Sequence, residues 1–121
     1  MTADELARRL EEGTLRLLDV RSREEYTGEA GYPCDPRQGH IPGAVHLEWV
    51  ELFGASGRPL GREEASALLL ERGVDPDADI VCYCHSGSRS QMAVAALRAA
   101  GFERVDNYDG SWHEWARRED S

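Results

Sequence analysis

Short apolar runs of strand length alternate with amphipathic stretches of helical spacing along this chain. Thr2-Ala-Asp-Glu5 is a capping box, so it predicts a helix to about Glu12, stopped by Gly13. Leu15 to Val20 is an apolar run that predicts a strand. Ser22-Arg-Glu-Glu25 is a second capping box and opens a short helix. Thr27 to Gly39, rich in Gly, Pro and Asp, is a long loop, followed by a turn to Ala44 and a short strand over Val45–Leu47. Trp49 to Phe53 predicts a helical turn, and Gly54 to Pro59 a further loop. Arg62 to Arg72 carries Ala65, Leu68 and Leu69 on one face, with Gly73 as its stop. A buried strand follows over Asp79–Tyr83, then a helix over Ser90–Ala100 capped by Gly101. A last strand spans Val105–Tyr108, and a closing helix spans Trp112–Arg118, whose terminal arginines suit the helix dipole. This alternation predicts an α/β fold: a mainly parallel central sheet covered by helices on both faces.

A length of 121 residues fits one domain, 1–121, with a real core. No apolar run approaches the length of a membrane span, so no membrane partner is expected. The formal charge is −9 and all fourteen basic residues are Arg, yet no basic run exists, which argues against nucleic acid. Three cysteines form no disulfide pattern, and Met-Thr-Ala-Asp-Glu-Leu lacks the features of a secretion signal. A cytoplasmic location with free thiols is the expectation.

The chemistry concentrates at residues 84–90. An apolar, β-prone run ends at Cys84, and the loop Cys84-His-Ser-Gly-Ser-Arg89 leads into a helix. A thiol there meets free backbone N–H groups and the positive end of a helix dipole, which favour the thiolate. The N–H groups of a curled loop form an anion-holding nest, Gly87 permits the turn, and Arg89 adds a cation shaped for sulfonate- or phosphate-like oxygens. Two chemistries use such a site: nucleophilic attack on phosphorus, and sulfane-sulfur transfer through a persulfide. The usual phosphatase pattern has about five residues between Cys and Arg. Here there are four, His85 to Ser88, a tighter cradle suited to one added sulfur atom.

Four segments now make the chain recognisable. Leu18-Asp-Val-Arg-Ser-Arg-Glu-Glu-Tyr26, Gly39-His-Ile-Pro-Gly-Ala-Val45, the Cys84 loop and Tyr108-Asp-Gly-Ser-Trp-His-Glu-Trp115 occur in this order across nearly its whole length. Together they resemble the rhodanese family of sulfurtransferases, and in particular the catalytic C-terminal domain of thiosulfate and mercaptopyruvate enzymes, standing alone. The resemblance implies the rhodanese-like three-layer fold and a double displacement. Cys84 takes the outer sulfur of a small anionic donor such as thiosulfate, and its persulfide passes that sulfur to cyanide, a thiol or an acceptor protein. His85, Ser86, Gly87, Ser88, Arg89 and Ser90 are the implied binding loop. Asp19, below that loop, is implied to pair with a cation of the loop or a neighbouring one, and Arg21 to be structural. No cofactor or metal is implied. A sulfur-carrier role feeding a partner protein is the alternative, and a Cys-dependent phosphatase or arsenate reductase a more remote one.

Three positions depart from the family pattern. Ser86 stands where some thiosulfate enzymes have Lys, Glu25 where some have a second substrate-binding Arg, and His85 where mercaptopyruvate enzymes have Gly. Arg89 is left as the main cation. Screening acts over about 8 Å at physiological salt, so remote carboxylates count little against it. Cys82 should share a strand face with Cys84 and act as a small core residue. Cys34 reads as an exposed loop thiol, His40 as a turn residue, Tyr26 as a helix anchor, and Trp112 and Trp115 as packing. His46 has no paired zinc-ligand spacing. His85 stands either beside the substrate or in solvent.

Overall fold

The computed structural model describes residues 1–118. Helix α1 (Ala3–Glu12) starts where the Thr2 hydroxyl accepts the Glu5 N–H at 3.1 Å, and ends at Gly13 in the left-handed region. Strand β1 (Arg16–Asp19), α2 (Arg23–Thr27), β2 (Val45–His46), a 3₁₀ turn (Trp49–Leu52), α3 (Arg62–Glu71), β3 (Ile80–Tyr83), α4 (Ser88–Ala99), β4 (Val105–Asn107) and α5 (Ser111–Trp115) follow. The four strands lie in the order β2-β1-β3-β4, all parallel, with Leu18 opposite Val45 and Cys82, and Ile80 opposite Val105.

Strand alternation sends side chains into two cores. Leu18, Ile80 and Cys82 pack with α3 and α4 through Ala65, Leu69, Ala93 and Leu97. Leu17, Val81 and Tyr83 pack on the other face with α1 and α5 through Leu6, Trp112 and Trp115. This is the three-layer α/β arrangement the chain predicts. Cys82 and Cys84 share the first core, as alternation requires, and Trp112 and Trp115 are packing residues of the second.

Two helix boundaries differ from the sequence expectation. Helix α4 begins at Ser88 rather than Ser90, because Gly87, with φ 101°, turns the chain sharply enough to serve as its N-cap. Helix α5 ends at Trp115 rather than Arg118. Beyond it Arg117 donates to the His113 carbonyl of α5 and also reaches back to the loop before β2, donating to Asp35 at 2.8 Å and to the Cys34 carbonyl at 3.1 Å.

The carboxyl end of β1 holds a charge pair in the interior. Arg21 and Asp19, 1% and 0% exposed, meet at 2.7 Å, and Asp19 also accepts from the Tyr83 hydroxyl at 2.6 Å. That hydroxyl accepts the Ile41 N–H at 3.0 Å, while Arg21 donates to the Gly39 carbonyl. The pair thus ties β1 and β3 to the turn before β2. Its Asp19 partner is the neighbouring Arg21 and not the Cys84 loop. Removing one member of such a pair strands a buried charge at about 3–5 kcal/mol. Arg21→Ala is therefore expected to lower the thermal midpoint by roughly 10–20 °C. A midpoint within about 3 °C of the unsubstituted protein, by calorimetry, would contradict this account of the pair.

Candidate active site

Cys84 follows β3 directly, at the carboxyl edge of the sheet where parallel α/β folds place their ligands. Its own backbone is fixed on both sides. The N–H donates to the Ser111 hydroxyl at 3.1 Å, and the carbonyl accepts the Trp112 N–H at 2.9 Å. The His85 carbonyl accepts the His113 N–H at 2.9 Å, so the start of α5 continues the pairing that β4 began. Ser111 holds a left-handed conformation, with φ 52°, to deliver its hydroxyl there. Its place within the Tyr108–Trp115 segment was the only sequence signal of this role.

From that fixed point the chain curls around the sulfur. The Gly87 N–H donates to Cys84 Sγ at 3.1 Å, and the buried Ser90 hydroxyl lies 3.5 Å from it. Burial pushes the thiol upward, but bonds from the Ser90 hydroxyl and from the Ser90, Gly87 and Ser86 amides outweigh it and hold Cys84 below an ordinary thiol. Because α4 starts at Ser88, the Ser90 amide belongs to its first helical turn, whose N–H groups have no partner within the helix. Cys82 goes the other way. Burial, then the adjacent Cys84 sulfur, push it up to about 12, so it stays protonated.

Gly87 is required twice over. Its φ of 101° is unfavourable for any side chain, and an added Cβ would lie 2.9 Å from the Asp109 carbonyl oxygen. Ser86 and Ser88 leave their side chains exposed, and Ser86 contributes its backbone amide. Cys84 itself is 1% exposed, so a reagent reaches the sulfur only with a slim, terminal atom.

Arg89, expected as the main cation of the loop, is half-buried and paired. Its fork donates to both oxygens of Glu25, at 2.8 and 3.0 Å. The sequence shows Glu25 as the end of the α2 capping box and as a departure from the family pattern, and no local signal shows that it faces a residue 64 positions away.

His85 stands neither beside the sulfur nor in open solvent. Its Nε2 bonds Asp35 at 2.9 Å, its ring stacks on Tyr32 at 3.8 Å, and His113 meets it edge-on at 5.6 Å. Asp35, 7% exposed, also takes Arg117, and together Arg117 and His85 hold it below the usual carboxylate range despite its burial. Asp35, His85 and His113 have the atoms to ligate a metal within 4.8 Å of one another. Both Asp35 oxygens are already bonded, by Arg117 and His85, which makes the group a tether for the long loop. Cys34 is exposed on that loop. His40 stacks on Tyr26 and anchors the turn as expected, while the Tyr26 hydroxyl donates to the Ala44 carbonyl at 3.0 Å and ties its helix to that turn.

The family model described as a rhodanese-like domain matches residues 2–118. The chain belongs to the rhodanese family. Among its curated relatives is a thiosulfate sulfurtransferase of Azotobacter vinelandii, 37% identical over 98% of this chain and 43% of that one. Another is the sulfur carrier protein TtuD of Thermus thermophilus, 40% identical over 88% of this chain and 40% of that protein. Among solved structures, an anaerobic ergothioneine biosynthesis enzyme from Chlorobium limicola matches with a TM-score of 0.84 at 28% identity, over 98% of this chain and 30% of that one. This rhodanese domain spans about two fifths of the length of the curated relatives it matches.

The loop geometry yields a direct test. Gly87→Ala is expected to add about 1–3 kcal/mol of backbone strain and to push the loop off the Asp109 carbonyl. The Gly87 amide then leaves the sulfur, and the alkylation of Cys84 near neutral pH slows by about tenfold. Alkylation at the unsubstituted rate, followed by peptide mass mapping, would show that the Gly87 conformation does not shape the sulfur site.

Proposed function

We propose that this protein is a sulfurtransferase that carries sulfane sulfur on Cys84. The convergence of the Ser86, Gly87 and Ser90 donors on Cys84 Sγ supports this reading most strongly. The thiolate attacks the outer sulfur of thiosulfate or a related donor. A sulfur–sulfur bond forms to Cys84 as the donor's own sulfur–sulfur bond breaks, and sulfite leaves with the electron pair. Cyanide or a thiol then attacks the outer persulfide sulfur, and Cys84 departs as thiolate. Both half-reactions place negative charge on sulfur inside one ring of N–H donors, which are preorganised for it throughout.

Access favours this chemistry over phosphoryl transfer. A terminal sulfane sulfur is one atom wide and fits a thiol that is 1% exposed, whereas a phosphoryl centre brings three oxygens to the nucleophile. Only three residues, His85 to Gly87, separate Cys84 from α4, a short loop that suits one added sulfur atom. Delivery of the sulfur to a partner protein is the second reading, and the relative named as a sulfur carrier favours it. Three free thiols suit a reducing, cytoplasmic setting. Among the described residues no helix is long and apolar enough to cross a membrane.

Intact mass spectrometry after mixing with thiosulfate tests the proposal. The expected result is a gain of about 32 Da, removed by cyanide and absent in Cys84→Ser. A gain that persists in Cys84→Ser, or no gain from any sulfane donor, would refute it.

A further inference from the structure

Arg89 is the one residue of the Cys84–Ser90 loop with a permanent charge, and the structure gives its fork to Glu25. The contact is not a loose surface pair. The side chains are 28% and 13% exposed, and the guanidinium meets the carboxylate in a two-point, fork-to-fork geometry. Glu25 is also held from its own side. Its Oε1 accepts the Ser22 N–H at 3.3 Å and the Ser22 hydroxyl at 3.1 Å, the capping box of α2. Burial opposes its ionisation, but Arg89 and Ser22 prevail and lower its pKa to about 2, so the carboxylate is charged at every pH near neutrality.

We propose that Glu25 is a specificity-determining residue: by clasping Arg89 it leaves the loop around Cys84 with no net charge from these two groups, so the site favours neutral or monoanionic sulfane donors, such as thiol persulfides and thiosulfonates, over the thiosulfate dianion. The inference rests on the reading of Cys84 as a sulfur acceptor, and it concerns the donor rather than the transfer itself. An unpaired Arg89 would attract a doubly charged donor about twice as strongly as a singly charged one. The clasped fork has little field left to offer either. Partial burial shields the pair from salt, so the neutralisation persists at physiological ionic strength.

Charge can be changed here without breaking the helix cap. Glu25→Gln keeps a side chain that can serve the capping box while it removes the negative charge. Arg89→Gln leaves the carboxylate bare, and the double variant restores neutrality. The readout is kcat/KM for thiosulfate and for methanethiosulfonate, a dianion and a monoanion, measured on each protein. Their ratio within one protein is independent of the fraction folded. Relative to wild type, thiosulfate kcat/KM is expected to rise about tenfold in Glu25→Gln, to fall about tenfold in Arg89→Gln, and to return near wild type in the double variant. Methanethiosulfonate should follow in the same order by about threefold. A thiosulfate-to-methanethiosulfonate ratio that stays constant across the four proteins would overturn the proposal while leaving sulfur transfer intact. A wild-type protein that takes sulfur from neither donor would overturn both.

Discussion

A sulfur anion held almost out of water has to be stabilised by something other than solvent, and here that is a set of main-chain N–H groups. Burying Cys84 opposes its ionisation. The Gly87 N–H and the Ser90 hydroxyl, 3.1 and 3.5 Å from the sulfur, together with the Ser90 and Ser86 amides, outweigh that burial. They do so only while the loop keeps its curvature. That curvature depends on Gly87 in the left-handed region, on α4 starting at Ser88, and on the Asn107 side-chain amide holding the Gly87 carbonyl at 3.2 Å.

The rest of the fold serves to keep this ring in place. The parallel sheet brings the ends of β1 and β3 side by side, with Asp19 opposite Tyr83. The Asp19–Arg21 pair and the Tyr83 hydroxyl lock those ends to the turn at Ile41. Ser111 anchors Cys84 from the far side, and the Asp35–His85–Arg117 contacts fasten the long loop next to it. Rigid support of this kind keeps donors aimed at a charge before it moves.

What the sequence revealed follows from the range of each interaction. The order and type of the elements were legible, because capping boxes at Thr2 and Ser22 and apolar runs at β1 and β3 are local signals. The Cys84 ring was legible for the same reason: strand, glycine turn and helix start lie within a few residues. The start of α4 was misplaced because Gly87, rather than a side-chain cap, begins it. Long-range pairings were beyond reach. Nothing near Arg89 shows that Glu25 takes its fork, and nothing near His85 points to Asp35, 50 positions away. Arg89, the main cation of the loop, and His85 are both tied groups for that reason.

The central claim concerns the ionisation of one thiol, and titration of that thiol tests it most directly. In a Cys34→Ser background Cys82, pushed up to about 12 by burial, is protonated near neutral pH, so thiolate absorbance against pH reports Cys84 in that range. The account predicts a midpoint below the ordinary cysteine value of about 8.5, shifted upward in Ser90→Ala. A midpoint at or above that value, unmoved by Ser90→Ala, would contradict it.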